Sequence, residues 1–330
     1  MKVVVTGATG NVGTALLRRL ADEPDVEVHG ISRRKPENAP PYQGLDWTPV
    51  DIGQAGAEEL LGIAFENADA VVHLAWLIQP SHDERELYRV NVAGSSRVFS
   101  AAAEAGVPHL VHMSSVGAYS PAGKDHRVDE RWPVNGVKSS SYSRHKAAVE
   151  HMLNQYETSM LISRPRPGLI LQADAGSEIR DYFLGSLVPK ALFRHRVPIV
   201  PLPEDLVLQF VHSDDVADAL ARILKQRLHG PVNLVAEPVV TPRALAEVLG
   251  GRRVPVPARL LRLLANVTWR LRLQPTAPGW VDLALTAPLL DASRAHAELG
   301  WKPAFDAQEA LEALVRGIGE GKGLQASPVL

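Results

Sequence analysis

With 330 residues, 35 basic against 37 acidic side chains and a net charge of -2, the chain can bury a full core and lacks the charge excess of a nucleic-acid binder. It has no cysteine, which excludes disulfides, thiolate metal sites and a cysteine nucleophile and leaves the redox compartment open. No apolar run approaches the roughly 18–20 residues of a membrane span, and Met1-Lys2 lead straight into Val3-Val4-Val5, so the expectation is a soluble cytoplasmic chain with no membrane or nucleic-acid partner.

Short apolar runs alternate with helical patterns through the first half, which predicts an α/β fold, a doubly wound parallel sheet of the Rossmann type. Val3–Val5 reads as the first strand and Thr14–Ala21 begins a helix. Val26–Ile31, Ala70–Leu74, Leu110–Met113 and Leu161–Ser163 read as further strands, and Arg85–Ala105 and Tyr142–Tyr156 as helices. From Arg164 the texture changes, with prolines at 165, 167, 189, 198, 201 and 203. Phe210–His212 and Val232–Val235 are expected to return to the sheet around a helix over Asp214–Lys225; the remainder reads as mostly helical and Lys322–Leu330 as frayed. The domain reading is therefore 1–165 plus 205–236 for the dinucleotide unit, and 166–204 plus 237–330 for a smaller, mainly helical substrate unit.

Thr6-Gly7-Ala8-Thr9-Gly10-Asn11-Val12-Gly13 stands between the first strand and its helix. Gly7 permits a tight turn, Gly10 lets backbone approach a pyrophosphate, and Gly13 lets helix pack on strand. Strand two ends in Ile31-Ser32-Arg33-Arg34 with no acid between Glu27 and Glu37, which favours a 2′-phosphate and hence NADP, with NAD the alternative. Asp51-Ile52 falls where an adenine edge would rest. About 130 residues beyond the turn, Tyr142 and Lys146 form Y-x-x-x-K. At i and i+4 they share a helix face, so an ammonium can stabilise a phenolate whose ordinary pKa is about 10.

On these residues the chain resembles the extended short-chain dehydrogenases/reductases of the NAD-dependent epimerase/dehydratase family. Val71–Ala75 is similar to the family's H-L-A segment, Asn91–Gly94 to its N-V-x-G helix and Ser114–Tyr119 to its S-S-x-x-V-Y stretch. Phe210–Ala217 is similar to F-V-H-V-D-D-V-A, and Asp291, Ser293, Leu299-Gly300-Trp301 and Pro303 to the late D-x-S…L-G-W-x-P pattern. The resemblance implies a catalytic set of Ser115, Tyr142 and Lys146: serine holds the substrate oxygen, tyrosine moves its proton, and lysine lowers the tyrosine pKa and binds the nicotinamide ribose. It also places Leu74, Ala75, Trp76, Asn91 and Pro167 beside the cofactor, together with Thr9, Asn11 and Val12 of the turn, and implies a homodimer through the two long helices.

The chain departs from sugar-nucleotide members of that family at two places. Leu208-Gln209-Phe210 and Ala277-Pro278-Gly279-Trp280 stand where diphosphate-binding arginines are common. A pocket with few cations, lined by residues such as Trp76, Leu77, Gln79 and the segment Asp181–His195, suits a small, weakly charged carbonyl compound or secondary alcohol. Arg259, Arg262, Asn266 and Arg270 form a polar stripe opposite Leu260, Leu263, Leu264, Val267 and Leu271. That pattern fits a surface helix of the substrate unit most simply, a membrane-surface helix or a substitute phosphate site otherwise. Scattered histidines lack metal-ligand spacing, so no metal is expected, and His145 is expected on the solvated or interface side of its helix. The leading reading is an NADP-dependent oxidoreductase; the alternatives are a nucleotide-sugar 4-epimerase or dehydratase with tightly held NAD, and a non-catalytic NADP(H) sensor.

Overall fold

The computed structural model describes residues 1–176 and 199–323. The segment Asp181–His195, expected to line the pocket, and nearly all of the tail expected to fray lie outside the described residues. The frame is a seven-stranded, wholly parallel sheet of β1 (Lys2–Thr6), β2 (Glu27–Ser32), β3 (Asp46–Pro49), β4 (Ala70–His73), β5 (His109–His112), β6 (Leu161–Pro167) and β7 (Gly230–Leu234), in the order β7-β6-β5-β4-β1-β2-β3. The order reverses at β1 and β4, the switch point where such sheets open a ligand crevice at their carboxyl ends.

Successive side chains of a strand point to opposite faces, and the core divides accordingly. Val3, Val5, Val72 and Val111 pack with Leu16, Leu17, Leu20, Leu220, Ile223 and Leu224 on one face. Val4, Val71, Leu110 and Ile162 pack with Leu61, Phe65, Val98, Phe99, Val149 and Leu153 on the other. A third cluster joins Leu171, Phe210 and Val240 to Leu311, Leu314 and Ile318 of the helix Ala307–Glu320.

Most expected elements form, with shifts that have local causes. The first helix runs Asn11–Leu20, starting at Asn11 rather than Thr14, so Gly13 lies within it. Phe210–His212 does not enter the main sheet. It pairs in parallel with Leu169–Leu171 in a separate two-stranded ribbon, because the chain leaves β6 at Gly168, where a Cβ would meet the Gln209 carbonyl oxygen at 2.6 Å. The edge strand β3 and the helix Ala57–Phe65 carry no strong sequence signal; β3 is held by Trp47, whose ring fills the space a side chain on Gly30 of β2 would need. The late motif closes the fold: Asp215 accepts the Ala304 and Phe305 amides at 2.7 and 3.2 Å, and the Trp301 indole donates to the Asp215 carbonyl at 2.9 Å. No described helix is long and apolar enough to cross a membrane.

Trp301 is among the largest fully buried side chains. Trp301→Ala should lower unfolding free energy by about 3–5 kcal/mol, read from the urea midpoint. A loss below about 1 kcal/mol would mean that the late motif is not part of the cooperative core.

Candidate active site

The glycine turn takes the shape its residues require. Gly7 has φ +71°, and a Cβ there would meet the Ala75 nitrogen at 2.6 Å, so this left-handed residue also admits the chain leaving β4. A Cβ on Gly13 would lie 2.3 Å from the Gly7 carbonyl oxygen, whereas Gly10 has only that oxygen near it, at 3.3 Å. The backbone at Gly10 is therefore approachable, and the helix Asn11–Leu20 has no side-chain cap on its first amides, an arrangement suited to a phosphate. The turn donates from Gly7 and Ala8 to the Ile31 carbonyl, which sets the end of β2 beside it. Ser32 is buried and donates to the Arg34 carbonyl at 2.6 Å. Arg33 and Arg34 are exposed with no acidic partner among the described residues.

Other expected cofactor residues are engaged within the protein. Asp51 accepts from the Gly53 amide at 2.9 Å and from Arg89 at 3.1 Å. Ile52 is buried and packs where a side chain on Gly94 would stand. The Asn11 side chain donates to the Ile170 carbonyl at 3.4 Å and accepts from Ser213 at 2.7 Å, so it ties the turn to the ribbon. Asn91 lies in a π-helical turn, Arg89–Gly94, and its amide accepts from the Leu77 N–H at 2.7 Å and donates to the Leu77 carbonyl at 2.9 Å. It positions the loop that carries Trp76. Thr9 is buried, Val12 and Leu74 pack against the core, and Pro167 ends β6.

Ser115 caps a short 3-10 turn by accepting the Gly117 amide at 3.0 Å, at the carboxyl end of β5. Tyr142 and Lys146 project from the helix Ser141–Leu153, whose Ser140 cap accepts the Ser143 amide. A Cβ on Gly117 would meet the Tyr142 ring at 2.8 Å and the Ser115 hydroxyl at 3.4 Å, so the missing side chain is what lets these two groups meet. The aromatic surroundings are dense: Trp76 meets the Tyr142 ring edge-on with centroids 6.1 Å apart, and Trp280 lies on it at 5.1 Å.

Lys146 has closer partners than the Tyr142 ring. The Lys146 ammonium donates to the Met113 carbonyl at 2.8 Å and sits 3.5 Å from the Trp76 ring centroid, against 6.0 Å from that of Tyr142. A shared helix face brings the two side chains near one another, and a cation is also drawn to an indole face, here that of Trp76. Burial accordingly pushes the Tyr142 phenol up to about 12, opposed by its hydrogen bond with Ser115. Burial pulls Lys146 down from 10.5 to about 7, opposed by the charge of Glu150. The neighbouring His73 is pushed down to about 3 by burial and then by Lys146, and as a neutral ring it bonds Thr6 at 2.6 Å and Ser95 at 2.9 Å.

Sequence reasoning missed the support behind this set. Buried Glu150 is held by Arg166 through two 2.7 Å hydrogen bonds and accepts from Ser114 at 2.5 Å. Arg166 also donates to the Tyr119 hydroxyl and the Glu130 carbonyl, both at 3.0 Å. The signal was present, since Glu150 is one further i+4 step along the Tyr142–Lys146 face and Ser114 adjoins Ser115. Trp280 was legible only as the residue beside a missing arginine. Leu208, where the other arginine is missing, packs against the third cluster, and its neighbour Gln209 clasps the Leu290 backbone at 2.6 and 3.1 Å. His145 is buried against Tyr88, not solvated. No group of acids and histidines among the described residues could hold a metal.

Fold and site define an α/β dinucleotide-binding protein of the Rossmann type. The chain belongs to the NAD dependent epimerase/dehydratase family, which it matches over residues 3–235, a family of NAD(P)-dependent enzymes. It is 30% identical to an uncharacterized protein of Mycobacterium tuberculosis over 98% of its own length, and spans 31% of that protein. The chain thus spans about a third of the length of the mycobacterial relatives it matches. It is 32% identical to the sterol demethylase protein B of Methylococcus capsulatus over 46% of this chain and 45% of that one. Among solved structures it resembles the UDP-glucose 4-epimerase of Thermus thermophilus in complex with NAD, with a TM-score of 0.72 and 26% identity, covering 96% of this chain and 99% of the other.

Between about pH 7 and 10.5 the unfolded chain carries a proton on Lys146 that the folded chain has shed. This residue therefore makes stability rise with pH through that window. Lys146→Met has no charge to bury, so its advantage over wild type should be largest below pH 7 and shrink toward pH 10.5. Urea unfolding of both proteins across that range checks this; a difference constant with pH would sink it.

Proposed function

We propose that this chain is an NADP(H)-dependent oxidoreductase acting on a carbonyl group or secondary alcohol of an apolar, weakly charged substrate. The observation that carries the reading is the convergence of Ser115, Tyr142 and Lys146 under two tryptophans, Trp76 and Trp280, instead of under arginines. The approachable Gly10 backbone, the uncapped helix start and the exposed Arg33 and Arg34 fit a dinucleotide with a 2′-phosphate. When bound, the nicotinamide supplies or accepts the hydride.

The chain's own groups handle the oxygen. Ser115 holds it by a hydrogen bond, and the Tyr142 hydroxyl gives it a proton during reduction or takes one during oxidation. A phenol held up to about 12 is fully protonated near neutrality, which suits the donor role. Lys146, held at about 7, is the nearby cation that can compensate the charge left on the phenol. The sterol in the name of the Methylococcus relative is in keeping with an apolar substrate. The dimer implied by the family resemblance would use the helices that carry Tyr88 and Tyr142, and the 54% exposure of Tyr88 supports that choice.

A second reading, a nucleotide-sugar epimerase with NAD, draws on the Thermus structure. Against it stand Leu208 and Ala277 at the two positions where diphosphate-binding arginines are common, neither able to neutralise a diphosphate.

A ligand that binds only the folded form adds about 2.7 kcal/mol at a hundredfold excess over its dissociation constant. NADPH should raise the thermal midpoint of the protein more than NADH does, and UDP-glucose should leave it unmoved. Arg33→Ala/Arg34→Ala should erase the preference for NADPH. A selective response to NADH together with UDP-glucose would replace this reading with the epimerase. In a screen of apolar ketones, Tyr142→Phe should reduce kcat by about 10²–10⁴-fold while keeping the NADPH-induced shift; retained turnover would remove Tyr142 from the chemistry.

A further inference from the structure

The helix Ala258–Arg270 turns its hydrophobic side outward. Leu260, Leu263, Leu264, Val267 and Leu271 recur at i, i+3, i+4, i+7 and i+11 and so share one face. They are between 45% and 64% exposed, and no residue of the helix is buried. The opposite side makes the contacts with the rest of the protein. Trp269 stacks on His82 with centroids 5.0 Å apart, and Arg262 pairs with Asp282 of the helix Pro278–Thr286 at 2.7 Å. Just beyond the helix, Leu273 is 60% exposed. A row of half-exposed leucines along one face is costly in water at about 25 cal/mol per Å² and marks a contact surface.

Charge identifies what it contacts. Between Glu247 and Asp282 the sequence holds no acidic residue and six arginines, at 252, 253, 259, 262, 270 and 272. Arg253 and Arg262 are neutralised by Glu204 and Asp282. Arg259 and Arg270 border the apolar stripe, are exposed, and have no acidic partner among the described residues. A second copy docking by this face would bring more arginines and no acid from this stretch to pair them, since a two-fold contact matches a patch with itself. An anionic, apolar-cored surface satisfies both halves of the pattern.

We propose that the segment Arg252–Leu273 docks this protein on an anionic phospholipid surface, lying in its plane, with the leucines among the acyl chains and the arginines on the phosphates. This is peripheral binding and needs no spanning helix. It also bears on substrate: Trp269 packs on the loop that follows Trp76, and the adjoining helix carries Trp280 against Tyr142, so the docked face adjoins the wall of the candidate site. On the oxidoreductase reading above, on which this consequence alone rests, the substrate is a lipophilic ketone or alcohol taken from the bilayer.

The test is co-sedimentation of the whole chain with vesicles of phosphatidylcholine alone or mixed with phosphatidylglycerol, at low and high salt, without cofactor or substrate. Binding should require phosphatidylglycerol and weaken with salt. Arg259→Glu/Arg270→Glu should lower the partition coefficient by about fivefold or more for each arginine lost, and Leu263→Glu/Leu264→Glu by at least about tenfold. These residues are exposed, so both variants should keep the wild-type thermal midpoint and its response to NADPH. Failure of the cofactor reading would show in that response and leave vesicle binding untouched. Absence of sedimentation with anionic vesicles overturns the proposal, as does binding indifferent to lipid charge and to the arginine reversal. A wild-type dimer that Leu263→Glu/Leu264→Glu makes monomeric, with no vesicle binding, would assign the stripe to a second copy instead.

Discussion

The buried ion pair between Glu150 and Arg166 is the constraint on which the candidate site depends. Two charges taken out of water cost several kcal/mol each, and only good geometry and further hydrogen bonds offset that. Here the pairing is bidentate, Ser114 adds a third bond to Glu150, and Tyr119 and the Glu130 carbonyl accept from the remaining nitrogen of Arg166. Tyr119 donates its own proton to Asn233 of β7 at 2.7 Å. One network thus ties the Tyr142 helix, the end of β5 and the two last strands of the sheet. Ser115, Tyr142 and Lys146 stand at its edge, so their mutual geometry is fixed from behind.

That network also shapes the electrostatics in front of it. Glu150 is the nearest negative charge favouring the Lys146 ammonium, yet burial outweighs it and leaves the lysine at about 7. The ammonium then takes the polar partner at hand, the Met113 carbonyl, and the face of Trp76. Tyr142, enclosed by Trp76 and Trp280, loses the solvation a phenolate needs. Burial thus acts on both groups in the same sense, favouring a neutral phenol and a neutral amine among aromatic rings.

Much of the frame was legible because its signals are local. Val3–Val5 with glycines at 7, 10 and 13 forces a strand, a left-handed turn and a helix start whatever the rest of the chain does, and φ +71° at Gly7 follows from that. Tyr142 and Lys146 share a face by helix geometry, and Ser115 by its place at the end of β5 meets them. Elements whose identity rests on distant partners were not legible: β3, made a strand by pairing with β2 and by Trp47 on Gly30, and Phe210–His212, diverted from the sheet by Gly168 against Gln209. The partners that Asn91 and Asp51 meet within the protein, Leu77 and Arg89 respectively, were not legible either, since only folding brings them within reach.

By itself the sequence determined the α/β class, the dinucleotide turn, the three candidate catalytic residues and the absence of a charge excess, since each is set by residue type at short spacing. The tertiary structure alone decided which polar atoms are already satisfied, that the Lys146 ammonium lies over Trp76 and on the Met113 carbonyl, and that Trp280 packs on the Tyr142 ring. It alone showed that the leucines of Ala258–Arg270 face outward, because periodicity fixes which residues share a helix face but not the side on which the protein lies.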